Sequence, residues 1–175
     1  MKRVLLGLGS NRNYKEMNSE QLLDAACKEL KSVLINPVFS SIYISKAMYV
    51  TDQNDFYNMT ATGYIEDNKS AYELLEDIHR IEAIYGRDRT KEIRFGPRSL
   101  DIDIELFGDE EINTADLQIP HVRLQERAFV LIPALEILNE SADVKIREKF
   151  DHYLGKLKAQ NSDLGIELYK KVSIK

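Results

Sequence analysis

An α+β fold is what this sequence predicts: an antiparallel sheet of βαββαβ order, with flanking helices, an extra hairpin and a C-terminal helical segment. Three observations predict it. Short apolar or β-branched runs of strand length recur at Val4–Leu8, Phe39–Ser45, Phe56–Ile65 and Leu100–Phe107. Two segments, Asn18–Leu34 and Ser70–Tyr85, carry apolar residues at helical spacing. Their order along the chain is strand, helix, strand, strand, helix, strand, which is the split βαβ, ferredoxin-like arrangement with helices on one face of the sheet.

Each element has a local reason. Val4–Leu8 is a buried strand that ends in Gly9-Ser10-Asn11. Asn18–Leu34 presents Leu23, Ala26, Cys27, Leu30, Val33 and Leu34 as one stripe, and Pro37 follows its end. Phe39–Ser45 and Phe56–Ile65 are strands on either side of a loop, Lys46–Asp55. In the second helix Ser70 and Glu73 form a capping box. Ala71, Leu74, Leu75, Ile78, Ile81 and Tyr85 line its apolar face, and Gly86 suits its C-terminal cap. A second long loop, Arg87–Arg98, leads into Leu100–Phe107. Gly108-Asp109 then turns the chain towards Ile112, and Pro120-His121 precedes a helical stretch over Phe129–Leu138. The charged, weakly periodic tail, 139–175, reads as peripheral to a single domain spanning 1–175.

Composition narrows the function classes. The 175 residues suit one domain. Hydrophobic residues at 43% supply a core, and no apolar run reaches the ~20 residues of a membrane span. The single cysteine, Cys27, rules out an internal disulfide and sits on a helix stripe as a small core residue. A cytoplasmic, monomeric protein is expected, with neither nucleic acid nor membrane as partner. The net charge of −5 argues against a general nucleic-acid binder. Within 87–98, however, Arg87, Arg89, Lys91, Arg94 and Arg98 outnumber Asp88 and Glu92. A positive loop on an acidic protein points to a small polyanion.

Asp101-Ile102-Asp103 is the sharpest chemical signal. Strand alternation puts both carboxylates on one face, about 7 Å apart, with Ile102 and Ile104 on the other. Magnesium takes hard oxygen ligands and typically one or two carboxylates plus phosphate oxygens. Taken alone, a D-x-D on a strand is more often a solvated polar face, and Glu105 extends that face. The preceding Arg94-Phe95-Gly96-Pro97-Arg98 shifts the balance, since arginine makes planar charge-assisted contacts to phosphate. Two readings remain open here: the acids hold cations beside a polyphosphate, or the arginines neutralise the aspartates directly.

Gly9-Ser10-Asn11, Asp52-Gln53, Phe56-x-Asn58, Arg94 through Ile104, Leu106-Phe107-Gly108, Ile119-Pro120-His121 and Glu126 through Leu131 occur in one order and at one spacing. In these blocks, over about residues 4–138, the chain resembles the 6-hydroxymethyl-7,8-dihydropterin pyrophosphokinase family of the folate pathway. The resemblance implies an enzyme that transfers pyrophosphate from ATP to the pterin hydroxymethyl group and releases AMP. It implies that Asp101 and Asp103 hold two Mg²⁺ ions, with Arg87 and Arg98 also catalytic. Arg87, Arg98, His121 and Arg127 match phosphate contacts, and Leu75, His79, Glu82 and Ile104 match positions near the nucleotide. Phe56 and Phe129 match the aromatics that sandwich the pterin, Asn58 its hydrogen-bonding partner, and Ser45 and Met48 belong to the first-lid stretch that binds the pterin edge. Phe56 and Asn58, two apart on a strand, share a face whether they bind a ring or only pack the sheet. Glu82 lies on an apolar stripe, where a buried acid needs a partner such as an arginine.

Two departures stand out. Members of the family often carry a Thr-x-Pro-x-Gly stretch in the first lid, where this chain has Ser45-Lys46-Ala47-Met48-Tyr49-Val50. Phe95 replaces a common Trp. Two further functional classes compete with the enzyme: a ferredoxin-like binding module without chemistry, and a nucleotide-binding relative with another acceptor or lost activity.

Overall fold

Alternation along the first strand sets the layers of the molecule. In β1 (Lys2–Ser10), Val4, Leu6 and Leu8 join one core, whereas Leu5 joins a second core on the opposite face. The computed structural model describes residues 1–47, 52–88, 90 and 96–171.

The first core is covered by α1 (Ser19–Val33) and α2 (Ala71–Ile84). Asn18 caps α1 through a reciprocal box with Gln21, and Leu22, Leu23, Ala26, Cys27 and Leu30 are its buried apolar face. Ser70 and Glu73 form the expected box at α2. Past its end, Gly86 adopts φ +85°, and a Cβ there would stand 2.2 Å from the Tyr14 ring, so no other residue fits.

β4 (Phe56–Ile65) lies antiparallel beside β1, and β5 (Asp101–Phe107) lies antiparallel on the other side of β1. The expected strand at Phe39–Ser45 is instead two pieces, β2 (Ile35–Phe39) and β3 (Ile42–Ser45), both paired to β4. The break has a side-chain cause. Ser40 Oγ accepts from the Thr60 N–H at 2.9 Å, and Ser41 gives its N–H and its hydroxyl to Glu136 at 3.1 and 2.6 Å. Pro37 follows the end of α1 as expected, but lies inside β2. It is tolerated because the register skips from Ile35 to Val38 and β2 pairs on one side only.

Helices cover both faces, not one. The 3₁₀ turn Leu124–Glu126, α3 (Ala128–Ile137) and α4 (Val144–Gln160) build the second core with Leu5. The tail is therefore not peripheral: Phe150 is fully buried in that core, with Leu154 beside it. β8 (Ile166–Lys170) extends the six-stranded sheet, whose order is β5-β1-β4-β3-β8 with β2 also on β4. A hairpin of β6 (Ile112–Asn113) and β7 (Gln118–Ile119) follows β5. Among the described residues no helix is long and apolar enough to cross a membrane.

Candidate active site

Two rows of residues cross the sheet towards the second core. Asn58, Gly9 and Asp101 stand side by side, and Thr60, Gly7 and Asp103 form the next row. With glycine in the middle of each row, the strand between the polar side chains presents only backbone. A cavity of about 330 Å³ opens above it.

Asp101 and Asp103 share the cavity-facing side of β5, as alternation requires, and Ile102 and Ile104 are buried in the first core. Four cationic or ionisable side chains surround them. Asp101 accepts from the guanidinium groups of both Arg87 and Arg98. Asp103 accepts from Arg127 at 2.7 Å, and His121 Nε2 lies 4.0 Å from it. In the chain by itself, then, the arginines do neutralise the aspartates. Both carboxylates nonetheless stay partly open to the cavity, at 18% and 32% side-chain exposure.

The electrostatics follow from burial and these partners. Burial alone would raise the Asp103 carboxyl, but Arg127, then His121 and Arg98, outweigh it and hold it below the usual carboxylate range. Glu105 continues the same strand face but is fully buried, and burial pushes its carboxyl up to about 8 even though Arg127 donates to it at 2.8 Å. Burial, followed by the Arg127 charge, pushes the His121 imidazole below its ordinary value despite Asp103. His121 Nδ1 accepts from the Arg123 N–H at 3.1 Å, which leaves Nε2 to carry the proton on the Asp103 side.

Glu82 does not reach the cavity. It is buried at the end of α2, accepts from the Ile102 N–H at 2.8 Å, and pairs with Arg87. It thus holds Arg87 behind Asp101, the arginine partner its position demanded. Leu75 and Ile104 belong to the first core, and His79 is half-buried on α2; none of the three lines the cavity. Phe56, Asn58, Ser45 and Phe129 also line the cavity. Asn58 donates to Ser45 Oγ at 2.9 Å and to its own strand at Phe56 C=O at 3.1 Å. Met48 lies outside the described residues, as do Arg94 and Phe95.

Sequence reasoning missed three contributors. Glu105 was legible as the third member of the Asp101, Asp103, Glu105 alternation, but only as polar surface. Gly7 matters because a Cβ there would stand 3.0 Å from Glu105 Oε1 and 3.3 Å from Val130. Asn11, part of the Gly9-Ser10-Asn11 block, ties both long loops to β1 through Gln53, Asn54 and Arg98.

The donor set suits a hard divalent cation. Asp101 and Asp103 offer carboxylate oxygens on one face, and no thiol or thioether lines the cavity among the described residues. Among those residues no group of three or more His, Cys, Asp or Glu forms a ready cage, so a cation there would draw its remaining ligands from a substrate or water.

Comparison with known proteins gives a consistent result. A family model described as 7,8-dihydro-6-hydroxymethylpterin-pyrophosphokinase matches residues 5–139. The 2-amino-4-hydroxy-6-hydroxymethyldihydropteridine pyrophosphokinase of Bacillus subtilis (strain 168) is 39% identical over 135 residues, 77% of each chain. The protein of the same name from Pseudomonas aeruginosa is 35% identical over 139 residues, 78% of this chain and 81% of its own. Among solved structures, Plasmodium falciparum HPPK-DHPS wild type with SDX-DHP superposes with a TM-score of 0.62 at 16% identity. That match covers 96% of this chain and 47% of the longer one, and shows a shared fold.

Proposed function

The chain belongs to the 7,8-dihydro-6-hydroxymethylpterin-pyrophosphokinase family, and from that premise we propose how its cavity carries out the family's reaction. The enzyme transfers the pyrophosphoryl group of ATP to 6-hydroxymethyl-7,8-dihydropterin in folate biosynthesis, releasing AMP. The pterin hydroxymethyl oxygen forms a bond to the β-phosphorus as the bond to the α,β-bridging oxygen breaks, and the hydroxyl proton is lost to solvent. Such transfers depend on positioning and charge neutralisation more than on a strong base.

The observation that carries the assignment of roles is the shared face of Asp101 and Asp103, ringed by Arg87, Arg98, Arg127 and His121. Asp101 and Asp103 would hold Mg²⁺, two ions in this reading. When bound, Mg²⁺ neutralises phosphate charge and polarises the phosphoryl oxygens. Arg87, Arg98 and Arg127 are then free to exchange a carboxylate for a phosphate oxygen, an equally good charge-assisted partner. The Nε2–H of His121 supplies a further donor. Phe56 and Phe129 would stack on the pterin and Asn58 would bond its edge, which their shared place in the cavity lining supports. Glu82 positions Arg87.

The order β5-β1-β4-β3 along the sheet supports a ferredoxin-like core to which α3, α4 and β8 are added. In this reading the enzyme is monomeric, and a single buried cysteine suits the reducing cytoplasm.

Product analysis tests the reading. ATP, Mg²⁺ and the reduced pterin should give AMP and pterin pyrophosphate in equal amounts. ADP as the nucleotide product, or AMP only by hydrolysis without a pterin product, would contradict it.

A further inference from the structure

The reaction as described has no use for Glu105, yet the fold goes to some length to keep it. Glu105 follows Asp101 and Asp103 on the cavity face of β5, one pleat deeper, and is 0% exposed. Gly7 beside it has no side chain, and a Cβ there would stand 3.0 Å from Glu105 Oε1. Burying a carboxyl is costly unless it is paired, and an apolar residue could have filled the same place.

Its partner is Arg127, and Arg127 is shared. The same guanidinium nitrogen, Nη1, donates to Glu105 Oε1 at 2.8 Å and to Asp103 Oδ2 at 2.7 Å. Glu105 Oε2 has no hydrogen-bond partner among the described residues. Its neighbour at 4.0 Å, His121 Nδ1, is already occupied by the Arg123 N–H. Arg127 is itself only 15% exposed, so its buried donors need an acceptor at close range in every state of the site. Asp103 cannot meet that need while its carboxylate faces a cation.

We propose that Glu105 is a positioning residue, the fixed hydrogen-bonding anchor of Arg127, which releases Asp103 to a divalent cation while Arg127 stays aimed at the nucleotide phosphates. The inference rests on the reading of Asp103 as a metal ligand. Without Glu105, Arg127 has Asp103 alone, and a cation must compete with that buried ion pair for the carboxylate.

The test is Mn²⁺ binding to the full chain, followed by electron paramagnetic resonance, with an ATP analogue whose α,β-bridge is methylene. Glu105→Leu should weaken Mn²⁺ binding by about tenfold, the usual scale for removing a partner behind a metal ligand. The same substitution in an Arg127→Met background should change it by less than about twofold, because the coupling runs through Arg127. No loss in Glu105→Leu overturns the proposal. So does an equal loss in both backgrounds, which would mean that the Glu105 charge acts on the cation through space. Glu105→Gln keeps the shape and an acceptor for Arg127. It should show a smaller loss that likewise vanishes with Arg127→Met, and it is read by the same criteria if the leucine variant does not fold. Asp103→Asn separates the two levels: if it binds Mn²⁺ as tightly as the parent, the assignment of Asp103 to the metal fails first, and the anchor role with it.

Discussion

The side-chain carbonyl of Asn11 accepts a hydrogen bond from the backbone N–H of Arg98 at 2.8 Å. The Asn11 amide donates to Gln53 Oε1 and to the Asn54 carbonyl, each at 3.1 Å, and its backbone N–H meets the Arg98 carbonyl at 3.0 Å. One side chain, 2% exposed, thus pins the end of β1 to the far ends of both long loops. Asn11→Ala removes a buried amide bonded to both loops, so it should cost about 1–3 kcal/mol of stability. Urea unfolding measures this. Turnover should fall as well, because Arg98 beside Asp101 loses one of its tethers to the end of β1.

Phe129 lines the cavity, with the Arg127 guanidinium 5.6 Å from its ring centre. Stacking of a flat heterocycle on such a ring contributes about 1–3 kcal/mol. Phe129→Ala should therefore raise the KM for the pterin by about ten- to a hundredfold and change the KM for ATP little. Equal changes in both constants would mean that the ring does not sort the two substrates.

The first half of the molecule was legible because its rules are local. The β4 bounds follow from a run rich in aromatic and β-branched residues, and α2 announces itself with a Ser70–Glu73 box at one end and Gly86 at the other. The split between β2 and β3 was not legible, because Ser40 and Ser41 find their partners in Thr60 and Glu136, far along the chain. The same holds at the site. Asp101, Asp103 and Arg98 sit within one short segment, so spacing alone brought them together, whereas Arg127 reaches Asp103 from 24 residues along the chain. Glu105 obeys the same alternation but looks like solvated surface until α3 closes over it, and nothing local says that it will.

The tail shows this limit most clearly. α4 is rich in charge, and only Phe150 and Leu154 are buried, against partners as remote as Leu5 and Val130. A fully buried phenylalanine reduced to alanine typically costs about 3–5 kcal/mol. Phe150→Ala should lose that much in denaturant unfolding. A cost below about 1 kcal/mol would return the tail to the periphery.

Cys27 gives a pH test. Burial, with Asp24 adding and Lys31 opposing, pushes its thiol from an ordinary 9.0 up to about 12. The folded state therefore holds the proton more tightly than the unfolded state. The stability this contributes is complete below pH ~9 and is lost as pH rises from there towards about 12. At pH 8 the thiolate fraction is about a thousandfold lower than in the unfolded chain, so thiol reagents should label Cys27 only on unfolding. Prompt labelling of the native protein would contradict the packing of Cys27 against Met59, where the two sulfurs lie 3.6 Å apart.

The reaction proposed for this fold depends on Asp101 and Asp103 exchanging arginines for cations. The most direct measurement is turnover as a function of Mg²⁺ concentration for Asp101→Ala and Asp103→Ala, in proteins shown by circular dichroism to be folded. Each variant should lose at least about a hundredfold in rate, with no recovery at high Mg²⁺, as expected when a ligand to a charge-neutralising ion is removed. A near-parental rate in either variant at the parental Mg²⁺ requirement would show that the carboxylate serves its arginines and nothing else.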